Sequence, residues 1–110
     1  MGNEARVADW TFLTNHSHVL LCLAHDPDQP LREVALQVGI TERSAQRIVT
    51  DLEKAGVIER FRIGRSNRYR VNAQSRLRHP IERHCRVEQL LAMVLGPEKR
   101  RGGAVDLRLS

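Results

Sequence analysis

Residues 31–56, LREVALQVGITERSAQRIVTDLEKAG, carry the clearest structural pattern of the chain. The apolar residues of this stretch recur twice at the i, i+3, i+4, i+7 spacing of a helix that buries one face. The first set is Leu31, Val34, Ala35 and Val38, and the second is Ala45, Ile48, Val49 and Leu52. Gly39 and Gly56 stand where each helix should stop, and Thr41 is suited to cap the second. The stretch therefore predicts two short helices joined by a tight turn.

A helix is expected before this pair and a β-hairpin after it. Thr14 or Asn15 can cap a helix that runs to about residue 25, where an Asp-Pro-Asp sequence ends it. After Gly56 the apolar period changes from helical to two, which predicts two strands. We expect a three-residue loop, Gly64-Arg65-Ser66, because it opposes Phe61 to Tyr69. That register gathers the apolar side chains on one face and four arginines on the other: Arg60, Arg62, Arg68 and Arg70.

A last helix is predicted over residues 80–95, ended by Gly96-Pro97. This helix carries more apolar side chains than a small core can readily bury from a terminal helix. The excess favours a homodimer seam that includes two aromatic residues near the N-terminus. The alternative is that this helix packs on its own domain. The expected dimer contacts are Trp10, Phe12, Ile81, Val87, Leu90, Leu91, Val94 and Leu95.

These elements describe one α+β domain that is mainly helical, since 110 residues are too few for a second core. We expect an N-terminal arm over residues 1–13, a three-helix core with its hairpin over 14–75, a dimerisation helix over 76–97 and a flexible basic tail over 98–110.

Charge is distributed unevenly along the chain. The net charge is +5 overall, but it is −4 over residues 1–42, +7 over 43–81 and +2 over 82–110. Seven arginines and no acidic residue lie between Arg60 and Arg78. Clustered cations of this kind attract a polyanion and release counterions from a phosphate backbone.

The second helix of the pair has an exposed face of types that contact bases and phosphates. The candidates are Thr41, Arg43, Ser44, Gln46, Arg47, Thr50 and Lys54. An ordinary solvated helix face would look similar. Its place after a helix-turn-helix pattern, and before an arginine-rich hairpin, favours the DNA interpretation.

The hairpin offers a second set of candidates: Arg60, Arg62, Arg65, Ser66, Asn67, Arg68 and Arg70. Exposed charges also protect an edge strand from aggregation. Mixed lysine and glutamate would serve that purpose equally well, so arginine alone favours phosphate.

The order helix, helix, recognition helix and two-stranded wing resembles the winged helix-turn-helix transcriptional regulators, and specifically the MarR-like and ArsR-like groups. The resemblance rests on Leu31-Arg32-Glu33-Val34-Ala35, Gly39-Ile40-Thr41, Ala45-Gln46-Arg47-Ile48-Val49, Leu52, Ala55-Gly56-Val57-Ile58 and Arg62-Ile63-Gly64-Arg65. It implies a homodimer on palindromic double-stranded DNA, with the third helix in the major groove and the wing on flanking backbone or minor groove. It further implies regulation of transcription, most simply repression.

Other functions are less well supported. No phosphate loop, activated nucleophile or paired-carboxylate pattern predicts an enzyme, and no cofactor or metal is expected, because the five histidines and two cysteines form no complete ligand set within one element. Apolar runs are too short for a membrane span, and the cysteine usage fits the cytoplasm. Two alternatives stay open: an interaction module for a protein partner, and a repressor that senses metal or an unidentified small-molecule effector.

Overall fold

The computed structural model describes residues 8–96 with their side chains and residues 97–103 by their backbone alone. Three helices are followed by a hairpin and a fourth helix. Their bounds are α1 Asn15–His25, α2 Leu31–Val38, α3 Glu42–Lys54, β1 Ile58–Ile63, β2 Ser66–Val71 and α4 Val87–Gly103.

The first three helices begin and end where the sequence predicts. Thr14 and Thr41 cap α1 and α3 by accepting from backbone amides three residues on. Gly39 ends α2 in the left-handed conformation, at φ 88°, which a residue without Cβ adopts at little cost. These caps confirm the helix-turn-helix unit and its boundaries.

The wing differs from its predicted register. Gly64 and Arg65 form a two-residue turn, so that Ile63 lies opposite Ser66, and Phe61 lies opposite Arg68 rather than Tyr69. A positive φ of 61° at Gly64, and none at Arg65, matches a type II′ turn, whose twist suits a hairpin. The predicted loop Gly64-Arg65-Ser66 is therefore wrong.

The expectation of one arginine-bearing face is wrong for the same reason. Since opposed residues share a face, Arg60 and Arg62 lie on the side of the buried Tyr69, whereas Arg68 and Arg70 lie on the other side with Phe61. Phe61 is half-buried, and the guanidinium of Arg70 stacks over its ring at 4.8 Å from the centroid.

The C-terminal helix starts later than predicted. Residues 76 and 86 form an antiparallel bridge, in which the Leu77 amide donates to the Cys85 carbonyl and the Val87 amide to the Ser75 carbonyl. Residue 86 is therefore held in an extended pairing, and α4 begins only at Val87. Gln89 supports this start, because its Oε1 accepts from the Arg86 amide at 2.7 Å. Ile81, predicted on the helix, lies in the preceding turns.

Gly96 has non-helical angles, φ 76° and ψ 166°, but helical backbone resumes as far as Gly103. The expectation of a loose tail from residue 98 is therefore wrong for residues 98–103. The tail residues 104–110 and arm residues 1–7 lie outside the described part of the chain.

One hydrophobic core joins every element. The largest fully buried side chains are Val19 and Leu23 from α1, Val34 from α2, Val49 from α3, Val71 from β2 and Leu91 from α4. Val87 and Leu90 are buried in the same core. Because the chain's own core covers these three α4 residues, they offer little surface to the predicted dimer seam.

Candidate nucleic-acid interface

Helix α3 has a buried face and a basic face. Ala45, Ile48, Val49 and Leu52 are buried where α3 packs against α1, α2 and β1. On the opposite side the exposed residues are Arg43, Gln46, Arg47, Thr50 and Lys54. Within the described residues, none of Arg43, Arg47 and Lys54 takes part in an ion pair, so these cations are available to phosphate or base edges.

The hydroxyl groups of this helix are already in use. Thr41 Oγ1 accepts from the Ser44 amide and donates to Ser44 Oγ, both at 3.0 Å. Thr50 Oγ1 donates to the Gln46 carbonyl at 3.1 Å. Thr41 and Ser44 therefore act first as a helix cap, and Thr50 presents a methyl group and an oxygen acceptor.

Two carboxylates of α3 are directed to neighbouring elements. Asp51 Oδ2 lies 2.8 Å from Nε2 of His16 on α1, and Glu53 Oε2 lies 3.2 Å from Nε of Arg60 on β1. Both contacts tie the second half of the helix to its surroundings. The contact with Glu53 also makes Arg60 less available to an external anion than the unpaired arginines of the wing.

Two further wing arginines have carboxylate partners. Arg68 donates to both oxygens of Asp28, at 2.9 and 3.3 Å, and Arg70 donates to Glu59 at 2.7 Å across the strands. The arginine run contains no acid in sequence, but the fold supplies acids from α3, β1 and the α1–α2 loop. Sequence reasoning missed Asp28 because it lies forty residues from Arg68 and no local pattern connects them.

Arg62 and Arg65 are the wing arginines that form no ion pair within the described residues. Arg65 stands in the turn, and Ser66 beside it is exposed, whereas Asn67 is half-buried. The turn thus carries a wing cation, Arg65, that has no carboxylate partner in the described part of the chain.

The wing tip lies beside the start of α3. A cleft of about 290 Å³ is lined by Gln46 of α3, by Arg65 and Asn67 of the wing, and by Asp28. The Tyr69 amide donates to the Pro27 carbonyl at 3.1 Å, which fastens β2 to the α1–α2 loop. The fold therefore presents the basic helix face and the wing tip together.

The cysteines and histidines show no comparable arrangement. Burial raises the pKa of the Cys22 thiol, whose Sγ donates to Gln37 Oε1 at 3.4 Å, so this group stays protonated at neutral pH. In the described part of the chain, no three His, Cys, Asp or Glu residues are grouped so that they could hold a metal ion. No helix there combines the length and the apolar character needed to cross a bilayer.

Comparison with known families agrees with this geometry. Residues 13–59 match the family model of a winged helix-turn-helix DNA-binding domain, a match that covers α1, α2, α3 and the start of the wing. No curated protein and no solved structure matches the chain. The described residues form four helices and a two-stranded antiparallel sheet, which is the α+β winged-helix fold, and duplex DNA is the partner that this domain type indicates.

Proposed function

We propose that this DNA-binding domain acts as a sequence-specific, homodimeric transcriptional regulator that represses by blocking polymerase access to promoter DNA. One observation carries the proposal: the cation-and-amide face of α3 adjoins a wing turn whose Arg65 has no carboxylate partner among the described residues. On such a surface the helix would enter the major groove, and the wing would contact a row of phosphates. The proposed role needs no catalysis.

The contacts divide by chemistry. We assign base contacts to Arg43, Gln46, Arg47 and Thr50. Arginine can donate two hydrogen bonds to guanine, and glutamine can pair with adenine. We assign phosphate contacts to Lys54, Arg62 and Arg65. Arg68, expected from the sequence to hold phosphate as well, already donates through Nε and Nη2 to Asp28, so a phosphate would share the guanidinium with that carboxylate or replace it.

Replacing Arg47 with alanine tests the base assignment. The variant should lose about 1–3 kcal/mol of binding free energy on its operator and discriminate less at one base pair. Arg65→Ala should weaken operator and random DNA alike and reduce the slope of log K against log salt by about one. Fluorescence anisotropy with the intergenic region beside the coding gene, and with a scrambled duplex, measures both.

Arg83→Ala is the matched control, because it removes an equal charge from the turns before α4. Equal losses on both duplexes for Arg47→Ala and Arg65→Ala would contradict the division of contacts. Affinity that does not change with salt would contradict phosphate binding altogether and favour a protein-interaction module.

Exposed apolar side chains support the homodimer. Of the predicted contacts, Trp10, Phe12, Ile81 and Val94 are exposed, with Phe12 at 91%, and the neighbouring Met93 is 69% exposed. Leu95 is half-buried. Trp10 and Phe12 meet edge to face, with centroids 5.0 Å apart, and so form one apolar unit. A dimer would place two recognition helices about 34–36 Å apart, in successive major grooves.

The assignment to the MarR-like or ArsR-like group of cytoplasmic prokaryotic regulators belongs to the same proposal. It is supported by the order of elements and by the wing, which follows α3 directly.

A further inference from the structure

The segment between the wing and α4 holds a second group of arginines. Residues 76–86 contain four arginines, two histidines and one carboxylate, that of Glu82. None of the four arginines takes part in an ion pair with another described residue, and neither does Glu82. In the wing, by contrast, Arg60, Arg68 and Arg70 each have a carboxylate partner. Among the described residues, this segment therefore has more unpaired arginines than the wing.

Two of these arginines lie directly opposite each other. Arg76 and Arg86 are the two residues of the antiparallel bridge before α4, so their side chains leave the backbone on the same face. The neighbouring residues, and not the arginines themselves, make the two backbone hydrogen bonds of the bridge, at 2.8 and 2.9 Å. In a pair of that kind the side chains lie closer together than in the hydrogen-bonded kind. The backbone therefore sets two cationic side chains next to each other.

This arrangement costs stability, because like charges directly opposite each other on an antiparallel pair repel. Arg86 is half-buried and Arg76 is exposed. Each donates through Nη1 to a backbone carbonyl, Arg86 to Gln74 at 3.0 Å and Arg76 to Arg83 at 3.4 Å. A carbonyl group satisfies one donor but carries no net charge. An anion that touched both guanidinium groups would therefore relieve the repulsion and use their remaining donors.

The arginine pair lies toward the end of α3 that is remote from the wing turn. Arg76 lines a groove with Lys54 at the end of α3, whereas Arg65 lines a cleft with Glu42 at the start of that helix. From Glu42 to Lys54 the helix is about 18 Å long, at a rise of 1.5 Å per residue. That length exceeds the width of the major groove, which is about 12 Å. A helix that lies obliquely in the groove would therefore bring the wing turn to one bordering phosphate row and the arginine pair to the other.

We propose that Arg76 and Arg86 clamp one phosphate of duplex DNA, in the row across the major groove from the row that the wing contacts. The position of this contact rests on the proposed function, which places α3 in the major groove. Planar guanidinium groups match the oxygens of a phosphate in a way that lysine does not. Arg78 and Glu82 line the groove beside Arg76, and the carboxylate there offsets the charge of Arg78. We therefore assign the phosphate to the bridge pair alone.

Arg86→Gln tests the clamp, because glutamine can still donate to the Gln74 carbonyl but carries no charge. On the intergenic duplex and on the scrambled duplex alike, the variant should bind about three- to fivefold more weakly, and the slope of log K against log salt should fall by about one. Arg76→Gln should behave in the same way. Arg83→Gln is the matched control, since it removes an equal charge from the same segment and should leave both quantities nearly unchanged. Fluorescence anisotropy over a series of salt concentrations measures both.

Stability without DNA distinguishes a clamp from a structural role. If the pair is held against its own repulsion, Arg86→Gln and Arg76→Gln should unfold at the same urea concentration as the wild type or at a higher one. If the two arginines only hold the segment together, both variants should unfold at a lower urea concentration and bind DNA as the wild type does. That second result would overturn the clamp.

Duplexes with a single methylphosphonate, which removes the charge of one phosphate, locate the contact. The wild type should lose affinity at a phosphate where Arg86→Gln loses none. Arg65→Ala should lose its sensitivity at a different phosphate, in the row across the groove. Loss of sensitivity at the same phosphate in both variants, or Arg86→Gln binding equal to that of Arg83→Gln, would overturn the proposal and leave the proposed function standing. Absence of duplex binding by the wild type would overturn both.

Discussion

Arg68 shows how one side chain acquires a second role from the fold. Both of its bonds to Asp28 are made at the surface, where the side chains are 47% and 62% exposed. Exposed pairs of this kind contribute at most about 1 kcal/mol, so exchange of Asp28 for a phosphate oxygen would cost little. The pair can therefore orient the arginine before DNA arrives without preventing its transfer.

Asp28→Asn tests this role. The carboxylate lines the cleft shared by α3 and the wing tip and holds Arg68, and its negative charge would repel an incoming phosphate. Its removal should tighten duplex binding about two- to fivefold and steepen the salt dependence. Anisotropy at several salt concentrations gives both quantities.

Arg68→Gln serves as the companion variant. If Arg68 transfers to phosphate, Asp28→Asn should have a smaller effect in the Arg68→Gln background than in the wild type. Weaker DNA binding by Asp28→Asn alone would show that the pair positions the wing more than it competes with DNA.

The stability of helix α3 depends on its N-terminal cap. Thr41 Oγ1 accepts from the Ser44 amide, one of the donors that a helix start leaves without an internal partner. Thr41→Ala should lower the free energy of unfolding by about 1 kcal/mol, as measured by urea denaturation. Thr41→Ser keeps the hydroxyl and should retain most of the stability; an equal loss in both variants would contradict capping.

The wing shows why register escaped sequence reasoning. The alternation of residues indicates two strands, but it does not say which residues of the turn are unpaired. The prediction placed Phe61 in the core beside Tyr69, whereas Phe61 is instead covered by Arg70 on the outer face. An aromatic ring can be covered by a guanidinium as well as by the core, and no periodicity distinguishes the two.

The start of α4 differs from its prediction for a related reason. Residues 80–86 have no helix breaker after Pro80, so local pattern allows a helix there. The bridge between residues 76 and 86 uses the backbone groups on either side of residue 86 for pairing instead. Contacts between chain segments thus replaced the first turns of the expected helix.

The exposed apolar residues of α4 bear on whether two copies of the chain associate. Met93 and Val94 are exposed on α4, whereas Leu91 is buried, so substitutions at the first two should change association and not folding. Met93→Glu combined with Val94→Glu should convert the proposed dimer to monomer with little change in unfolding free energy, because like charges would face each other across a two-fold axis. Light scattering after size exclusion measures the mass.

Met93→Ala with Val94→Ala is the control, since it reduces apolar area without adding charge. A wild-type chain that is already monomeric would contradict the homodimer. A charged variant that remains dimeric would place the interface elsewhere, with the Trp10 and Phe12 unit as the next candidate.

The three core helices, their caps and the presence of the wing follow from the sequence, because periodicity, capping residues and glycine conformations are local. It also predicted the exposed basic face of α3, since a buried stripe fixes the opposite side. Long-range contacts set which wing arginines have carboxylate partners, which turn joins the strands and which α4 residues enter the core. Those outcomes depend on contacts such as Arg68 with Asp28 and residue 76 with residue 86, and spacing along the chain carries no information about them.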